Sequence, residues 1–346
     1  MNLTWEQIFD GAADRPTDWA QSGGLAGELS ECSSGRGAQP VIDLHERLSE
    51  FSYGYGVTRE VEGLLGSIGV QTTPFMPSLL QEKIVGFDVG FGGRGVPLLL
   101  QFKLGQSLKR FVRTDKSKQT PYISRPFYRF SIDTTEPDGQ FETLIKAELD
   151  GAEVYYVAPK FNDWSQYIQL FSDNKILENS VLVSPGKIRS GIDSETLPDG
   201  MHRVVYDQRR VYICSAPVRL EIVTPTTLAE IIRRRCLSES TTLSDAVNRL
   251  YLGLAERAQV RRYPQAAPAH DESIQSDQSF RQLRIYTAFE DRIRPRLSSA
   301  ERGQLFERIH ARSRTRDDAI AAALGLELCG LGIQLVLATS AEAHRS

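Results

Sequence analysis

The chain has 346 residues, of which 40% are apolar and 25% charged, and its formal net charge is −3. This length predicts about two domains, and the globular composition excludes a chain that is disordered throughout. The slightly acidic balance excludes a uniformly basic nucleic-acid-binding protein, although a locally basic surface remains compatible with it.

Cysteine usage and targeting signals narrow the class of protein further. The four cysteines, Cys32, Cys214, Cys236 and Cys329, form no CxxC pair and have no zinc-ligand spacing, so we expect free thiols in a reducing compartment. The N-terminal residues lack the basic and apolar regions of a signal peptide, and no segment approaches the ~20 apolar residues that span a bilayer. The sequence therefore predicts a cytoplasmic protein without membrane contact.

The first half of the chain contains one helical pattern and two strand patterns. Residues 1–40 include a Gly- and Ser-rich segment and predict a flexible or poorly packed lead-in. From Thr58 onward, apolar residues recur at helical spacing, which predicts an amphipathic helix with Thr58 as its N-cap. Strand-like runs follow at Lys83–Gly92 and Val96–Leu104, and the glycines between them predict a hairpin turn.

Helical and strand patterns then alternate. Gln140–Gly151 predicts a helix and Glu153–Phe161 a strand, and this order after a hairpin implies a mixed sheet with a crossover connection. Short strands are expected at Ser180–Val183, His202–Tyr206 and Val211–Cys214. Helices are expected at Thr226–Leu237 and Leu243–Arg257, a linker at Arg262–Ser279, and a further Arg-rich, mainly helical segment from Phe280. The apolar stretch Ala319–Thr339 is expected to be buried core.

Strand alternation within the predicted hairpin brings polar side chains together. Asp88 shares one face of its run with Ile84 and two glycines, and Gln101 and Lys103 share one face of the next run. Hairpin pairing would place Asp88 beside Gln101 and Lys103. A carboxylate, an amide oxygen and an ammonium group suit a divalent metal and an activated water, since oxygen ligands hold Mg²⁺. An ordinary cross-strand Asp–Lys pair is the alternative interpretation.

These residues resemble the motif of the PD-(D/E)XK nuclease superfamily. Asp88, the sequence Gln101-Phe102-Lys103 and Glu60 on the preceding helix are similar to the branch with QxK in place of (D/E)xK, as in Mrr-type restriction endonucleases and the nuclease domains of some anti-phage effectors. The resemblance implies a restriction-endonuclease-like α/β core, in the order helix, three strands, helix, strand, with a mixed sheet. It covers roughly a third of the chain. The residue before Asp88 is Phe87 rather than proline, and Gln101 carries no negative charge.

The resemblance also implies roles for these positions. Glu60, Asp88 and Gln101 would hold Mg²⁺ or Mn²⁺, and Lys103 would position the attacking water, so that all four residues are catalytic. Glu62 remains the alternative to Glu60, because both lie near the apolar stripe of their helix. The implied organisation is a nuclease domain with extra strands at residues 41–224 and a mainly helical region at 225–346 for DNA contact, dimerisation or partner docking.

A basic, aromatic stretch begins at the candidate catalytic lysine. From Lys103 to Arg129 the chain carries eight basic residues, one acid (Asp115) and several interleaved aromatic residues, which suit phosphate contacts with some base or sugar stacking. The expected nucleic-acid-binding residues are Lys109, Arg110, Arg113, Lys116, Lys118, Arg125 and Arg129. A second basic segment, Arg281 to Arg316, could bind DNA or an acidic partner, or could form an ordinary solvated helix.

The sequence thus predicts a metal-dependent deoxyribonuclease that hydrolyses phosphodiester bonds of double-stranded DNA. The resemblance suggests an effector subunit of a bacterial anti-phage system, active as a homodimer or held in check by a regulatory partner subunit. Two alternatives stay open. One is a catalytically inactive nuclease fold that binds DNA or acts as a scaffold. The other is a structural subunit of a larger complex whose basic stretches contact protein.

Overall fold

The first helix of the described residues shows how the local sequence pattern becomes structure. The computed structural model describes residues 48–76, 87, 89–110, 121–135, 139–214, 217–238, 240–260 and 299–340, all within the compact unit Asp43–Ser346. In it, α1 spans Glu50–Ser67, and its N-cap is Ser49, whose hydroxyl accepts a hydrogen bond from the Ser52 N–H at 3.0 Å. The helix is confirmed, but Thr58 as its N-cap is wrong. The buried stripe already begins at Tyr53, so that Thr58 lies in the interior of the helix.

The first sheet is mixed and has five strands. Their spatial order is β1 (Val70–Pro74), β10 (Ile333–Ser340), β2 (Gly95–Phe102), β5 (Glu153–Pro159) and β6 (Ser180–Val183). Strands β2 and β5 are parallel, and the other neighbours are antiparallel. The α/β class with a mixed sheet is therefore confirmed.

Strand β2 does not pair as the sequence suggested. Its neighbours are β10, with Gln101 opposite Ile333, and β5, with Leu100 opposite Tyr155. The hairpin of Lys83–Gly92 with Val96–Leu104 is wrong, because a distant strand takes the place beside β2 that the hairpin required. Of the run Lys83–Gly92, residues 87 and 89–92 are described and form no strand, and the rest lies outside the described residues.

The second sheet is antiparallel throughout. Its spatial order is β3 (Gln106–Leu108), β4 (Phe127–Asp133), β7 (Met201–Tyr206), β8 (Val211–Ile213) and β9 (Val218–Leu220). The register sets Leu108 opposite Phe127, and Tyr128 opposite Tyr206. One edge of this sheet therefore collects the end of β3, the start of β4 and the turn between β7 and β8.

Helices cover both faces of the first sheet. Besides α1, they are α2 (Gln140–Leu149), α3 (Trp164–Ser172), α4 (Pro185–Ser194), α5 (Pro225–Ser238), α6 (Leu243–Val260), α7 (Ser299–His310) and α8 (Arg316–Gly330). The predicted helices at 140–151, 226–237 and 243–257 correspond to α2, α5 and α6. Strand β10 follows α8 directly, so the predominantly helical C-terminal region also supplies a central strand.

Two apolar cores lie on opposite faces of β2. Leu98 and Leu100 pack with Val57 and Val61 of α1, in a core that also includes residues of α5. Leu99 packs on the other face with residues of α2, α6 and α8 and of the second sheet. Because neighbouring strand residues point to opposite faces, Gln101 shares the face of Leu99. Among the described helices, none is long and apolar enough to cross a membrane.

Candidate active site and nucleic-acid interface

Gln101 and Lys103 lie at the carboxyl end of β2. Beyond the end of the strand, the Lys103 N–H donates to the Val157 carbonyl of β5 at 3.0 Å, which continues the parallel pairing. The two side chains, two residues apart, project from the same face. The carboxyl ends of parallel strands are a common location for ligand sites in α/β proteins. Lys160 follows the adjacent strand β5 and lies at the same edge of the sheet.

Gln140, the first residue of α2, holds the Lys103 side chain. The Lys103 ammonium donates to Gln140 Oε1 at 2.9 Å, and Gln140 Nε2 donates to the Leu331 carbonyl at 2.7 Å. Leu331 lies in the turn between α8 and β10, so one side-chain amide links three elements. No local sequence pattern indicates this role of Gln140, since its partner in the turn is nearly two hundred residues further along the chain.

Gln101 is almost completely buried, with 1% of its surface exposed. Its amide nitrogen donates to the Phe102 carbonyl at 3.0 Å, whereas Oε1 has no hydrogen-bond partner among the described residues. A buried oxygen without a partner costs about 1–3 kcal/mol, so its presence calls for an explanation. An oxygen of this type can bind a cation or accept a hydrogen bond from a ligand.

Glu60 has a different environment from Gln101 and Lys103. Its carboxylate accepts hydrogen bonds from the backbone N–H groups of Ile176 and Leu177, at 2.8 and 2.7 Å. Helix α1 packs against the face of β2 that carries Leu98 and Leu100, opposite to the face of Gln101. The structure thus brings Glu60 to the loop before β6 and not to the QxK residues. Burial raises the pKa of the other candidate, Glu62, which lies on the same helix.

Asp88 lies outside the described residues, but its neighbours are placed. Phe87 and Val89 are buried in the core beneath α8, and the Phe87 N–H donates to the Asp318 carboxylate at 2.9 Å. Asp318 belongs to the first turn of α8, whereas Gln101 lies opposite Ile333, beyond the other end of that helix. A 15-residue helix is about 22 Å long. The Phe87 backbone is therefore held near the end of α8 that is distant from Gln101.

The described residues do not by themselves fit a magnesium site. Mg²⁺ is held by oxygen ligands that usually include carboxylates. Of the predicted ligands that the structure describes, Gln101 offers a neutral oxygen, Glu60 is bound to backbone N–H groups elsewhere, and Glu62 lies on the same helix as Glu60. Within the described ranges, no three His, Cys, Asp or Glu side chains lie close enough together to hold a metal ion. We derive no catalytic step through a metal from this geometry.

Several residues of the expected nucleic-acid interface lie at one edge of the second sheet. Lys109 and Arg110 are exposed just after β3, and Arg125 is exposed just before β4. Arg129 is half-buried within β4, and its Nε donates to Gln106 across the strand pair at 2.9 Å. The other three residues, Arg113, Lys116 and Lys118, lie outside the described residues.

Asp207 organises this edge. The residue is buried, and its carboxylate accepts hydrogen bonds from the backbone N–H groups of Ser124 at 2.7 Å and of Arg209 and Arg210 at 2.8 Å. Burial acts to raise the pKa of this carboxyl group, but the three N–H groups, with the Arg210 charge, outweigh it and lower the pKa. One side chain thus joins the loop before β4 to the turn between β7 and β8.

The turn adds two arginines that sequence reasoning missed. Arg209 is exposed, and the Arg210 guanidinium lies 4.3 Å from the ring centre of Tyr122, which is 77% exposed. We call the group Lys109, Arg110, Tyr122, Arg125, Arg209 and Arg210 the basic loop surface. Arg209 and Arg210 follow Asp207 by two and three positions, a spacing at which an aspartate side chain often accepts hydrogen bonds from the backbone of a turn. This spacing is the one sequence signal that could have predicted their position.

The basic loop surface is connected to the edge that carries Lys103 and Lys160. The Gln208 side-chain amide donates to the Lys160 carbonyl at 3.2 Å, and the Tyr206 hydroxyl donates to the Pro159 carbonyl at 3.0 Å. Burial lowers the pKa of Lys160, although the Asp207 and Glu178 charges act in the opposite direction. The turn between β7 and β8 therefore contacts the carboxyl end of β5, next to that of β2.

The second basic segment is described only from residue 299. There, Arg302 forms an ion pair with Glu327 between α7 and α8, and burial raises the pKa of this glutamate although Arg302 opposes the shift. Arg308 donates through Nε to the Gln304 carbonyl of its own helix at 3.3 Å. The ion pair with Glu327 thus gives Arg302 a structural role between the two helices. The part from Arg281 to residue 298 lies outside the described residues.

Comparison of the chain with protein-family models, curated proteins and solved structures finds no match. The functional argument therefore depends on the residues and their geometry alone.

Proposed function

We propose that this protein binds nucleic acid through the basic loop surface, with double-stranded DNA as the partner. The observation that carries the proposal is the Asp207 carboxylate, which holds Ser124, Arg209 and Arg210 through their backbone. Two chain segments about 80 residues apart thereby place their cationic side chains on one edge. A protein with a net charge of −3 that gathers its cations locally can attract a polyanion to that place.

The chemistry of the surface suits a phosphate backbone. Arginine and lysine side chains there can contact phosphate oxygens, and Tyr122 offers an exposed ring for contact with a sugar or base. Lys103 and Lys160 extend the positively charged surface onto the adjoining edge of the first sheet. Contacts to phosphate position a protein on DNA without reading the base sequence, so we expect binding with little sequence preference.

The test is duplex DNA binding followed by fluorescence anisotropy over a range of salt concentrations. We expect the Arg209→Ala/Arg210→Ala variant to bind about 10-fold more weakly and to show a salt dependence shallower by about 1–2 units. The control is Arg233→Ala/Arg234→Ala, which removes two adjacent exposed arginines of α5 and should leave binding unchanged. Equal loss in both variants, or wild-type binding that does not respond to salt, contradicts the proposal.

Phosphodiester hydrolysis is a second candidate function, and a specific observation favours it. The unpartnered oxygen of Gln101 and the ammonium of Lys103 share one face at the edge next to the basic loop surface. Apart from β3 and β4, which belong to the second sheet and lie between β2 and α2 in the chain, the order is α1, β1, β2, α2, β5. This order, with β2 parallel to β5, is compatible with a restriction-endonuclease-like core in which β10 lies beside β2. On this proposal the chain is a metal-dependent endonuclease, and an effector role in anti-phage defence rests on the resemblance alone.

Nicking of supercoiled plasmid in the presence of Mg²⁺ or Mn²⁺ tests the second function. We expect Lys103→Ala to abolish nicking while duplex binding persists, and Lys146→Ala, at the end of α2, to retain both. If wild-type protein binds duplex DNA but nicks it with neither metal, hydrolysis by this chain is rejected. DNA binding or a scaffold role in a larger complex then remains.

A further inference from the structure

The turn between α8 and β10 lies beside the candidate active site. Strand β10 pairs with β2 up to Ile333, which lies opposite Gln101, and the same antiparallel register continued by two residues brings Leu331 beside Lys103. Gly332, which joins Leu331 to the strand, has φ +74°, a left-handed conformation that glycine adopts readily where a helix ends. A segment from the far end of the chain thus borders the candidate lysine.

Gln140 is held beside Lys103 by its neighbour in α2. Phe141 is buried, and its ring stacks on that of Tyr156 with centres 6.5 Å apart. Tyr156 lies in β5 directly opposite Gln101 of β2. The first residue of α2 therefore lies next to the carboxyl ends of the two parallel strands, and the buried core fixes the position of its backbone.

Both ends of the Gln140 side-chain amide have partners, and these partners fix which end faces the lysine. Nε2 donates to the Leu331 carbonyl at 2.7 Å, and Oε1 accepts from the Lys103 ammonium at 2.9 Å. A backbone carbonyl can only accept a hydrogen bond, so it selects the NH₂ group of the amide. The amide oxygen is thereby directed toward the ammonium, which can only donate. A glutamine satisfies both partners at once, whereas a glutamate or a methionine does not.

We propose that Gln140 is the positioning residue of Lys103 and that it acts from the turn between α8 and β10. The catalytic part of this inference rests on the proposed phosphodiester hydrolysis. In that reaction an ammonium group stabilises the charge that develops on a phosphate only if it is held in the right place. A lysine has a flexible four-carbon stem, so a hydrogen bond to its tip restricts the region in which the charge moves. The C-terminal region thereby contributes to the candidate site through the Leu331 carbonyl.

The first experiment measures the rate at which an amine-reactive reagent labels Lys103 in the full chain without DNA or metal, by mass spectrometry of peptides. We expect Gln140→Met, which keeps the side-chain length but neither hydrogen bond, to raise this rate about 5-fold, the factor that corresponds to one hydrogen bond. Gln140→Glu keeps an acceptor for the ammonium and loses the donor to Leu331, so we expect its rate to stay within about 2-fold of wild type. The exposed Lys187 of α4 is the internal standard in each protein.

The comparison of the two variants separates positioning of the lysine from a merely structural role. If Gln140 only joined α2 to the turn, both variants would lose the bond to Leu331 and would change the rate at Lys103 equally. Gln166→Met is the matched control, because Gln166 is an exposed glutamine in the first turn of α3, and we expect it to leave that rate unchanged. The proposal is overturned by a rate in Gln140→Met equal to that of wild type, or by equal increases in both Gln140 variants.

Plasmid nicking then tests whether the position of Lys103 matters for the reaction. We expect Gln140→Met to lower kcat about 10–100-fold with duplex affinity within about 2-fold of wild type, and Gln140→Glu to recover part of the loss. If the labelling rates change as expected but kcat of Gln140→Met does not, the catalytic part of the proposal is overturned. If the wild type does not nick, the proposed hydrolysis fails, while the labelling rates still decide whether Gln140 positions Lys103.

Discussion

Glu60 and Asp207 are two of the carboxylates that hold backbone N–H groups from segments distant in sequence. Glu60 binds Ile176 and Leu177, and Asp207 binds Ser124 as well as its own turn. Hydrogen bonds to an ionised acceptor are about twice as strong as neutral ones, and each carboxylate makes at least two. Glu60 was predicted as a metal ligand, yet both of its oxygens already have donors. The geometry gives it a local task, which is to position the loop before β6.

Substitution of Glu60 separates the structural and catalytic interpretations. Glu60→Gln keeps the size of the side chain but puts an NH₂ group against a backbone donor, so we expect the free energy of unfolding to fall by about 1–3 kcal/mol. Urea denaturation measures this change. Glu62→Gln, two residues along the same helix, is the control and should alter stability by less than about 0.5 kcal/mol. If Glu60→Gln leaves stability unchanged but abolishes nicking, Glu60 is a catalytic residue.

Asp207 should make stability depend on pH in the acid range. Its pKa is lower in the folded protein than in the unfolded chain, so its stabilising effect is present above the unfolded pKa of about 3.9. The effect is lost as the pH falls through the lower folded pKa. We expect Asp207→Asn to reduce the free energy of unfolding by about 1–3 kcal/mol at pH 7. The difference from wild type should shrink below pH ~4. A difference that is constant down to pH 2 would contradict this assignment.

At the scale of elements, β10 determines how the first sheet is assembled. It lies between β1 and β2, and its central residues Leu335, Val336 and Leu337 are fully buried. Successive residues of β10 enter opposite cores, since Leu335 and Leu337 pack beneath α8 and Val336 packs beneath α1. Without this strand, β1 would have no partner among the described strands, and β2 would keep only β5.

Removal of β10 should therefore prevent folding. We expect a chain ending at Leu331 to be insoluble, or unfolded by circular dichroism, because both cores would lose buried side chains and two strands would become exposed edges. A chain ending at Ser340 is the control and should fold with the thermal stability of the full chain. A cooperative unfolding transition in the shorter chain would show that β10 is dispensable.

Helices and strands whose apolar residues recur at a regular spacing were predictable from the sequence. The helix at 140–151 and the strands at 153–161 and 180–183 are found close to their expected places, because alternation and helical spacing depend on neighbouring residues alone. The stretch Ala319–Thr339 is buried as expected, but a continuous apolar run does not show where helix ends and strand begins, so β10 was missed.

The pairing of β2 and the partners of the candidate site residues were not predictable in the same way. The glycines at 92–95 favoured a hairpin, whereas β2 pairs with a strand more than 200 residues further along the chain. No local sequence pattern indicates this pairing. The face shared by Gln101 and Lys103 follows from alternation. The partners of Glu60 are backbone amides, which every sequence contains, and Gln140 reaches Lys103 only through the packing of α2 against β5, the strand beside β2.

At the scale of the whole molecule, the net charge argues against nucleic-acid binding, whereas the local distribution of charge favours it. The chain as a whole is slightly acidic, while the edge organised by Asp207 gathers the cations of two separate segments.

The position of β10 also has a consequence during synthesis. A ribosome adds about 5–20 residues per second, so the roughly 230 residues between β2 and β10 take about 10–50 s to emerge. During that interval the nascent chain displays β1 and β2 with open hydrogen-bonding edges and uncovered apolar faces. Such edges associate readily with one another, so the yield of native protein depends on how long they stay separate. Slower initiation, a lower growth temperature or a chaperone that shields these strands should increase the soluble fraction.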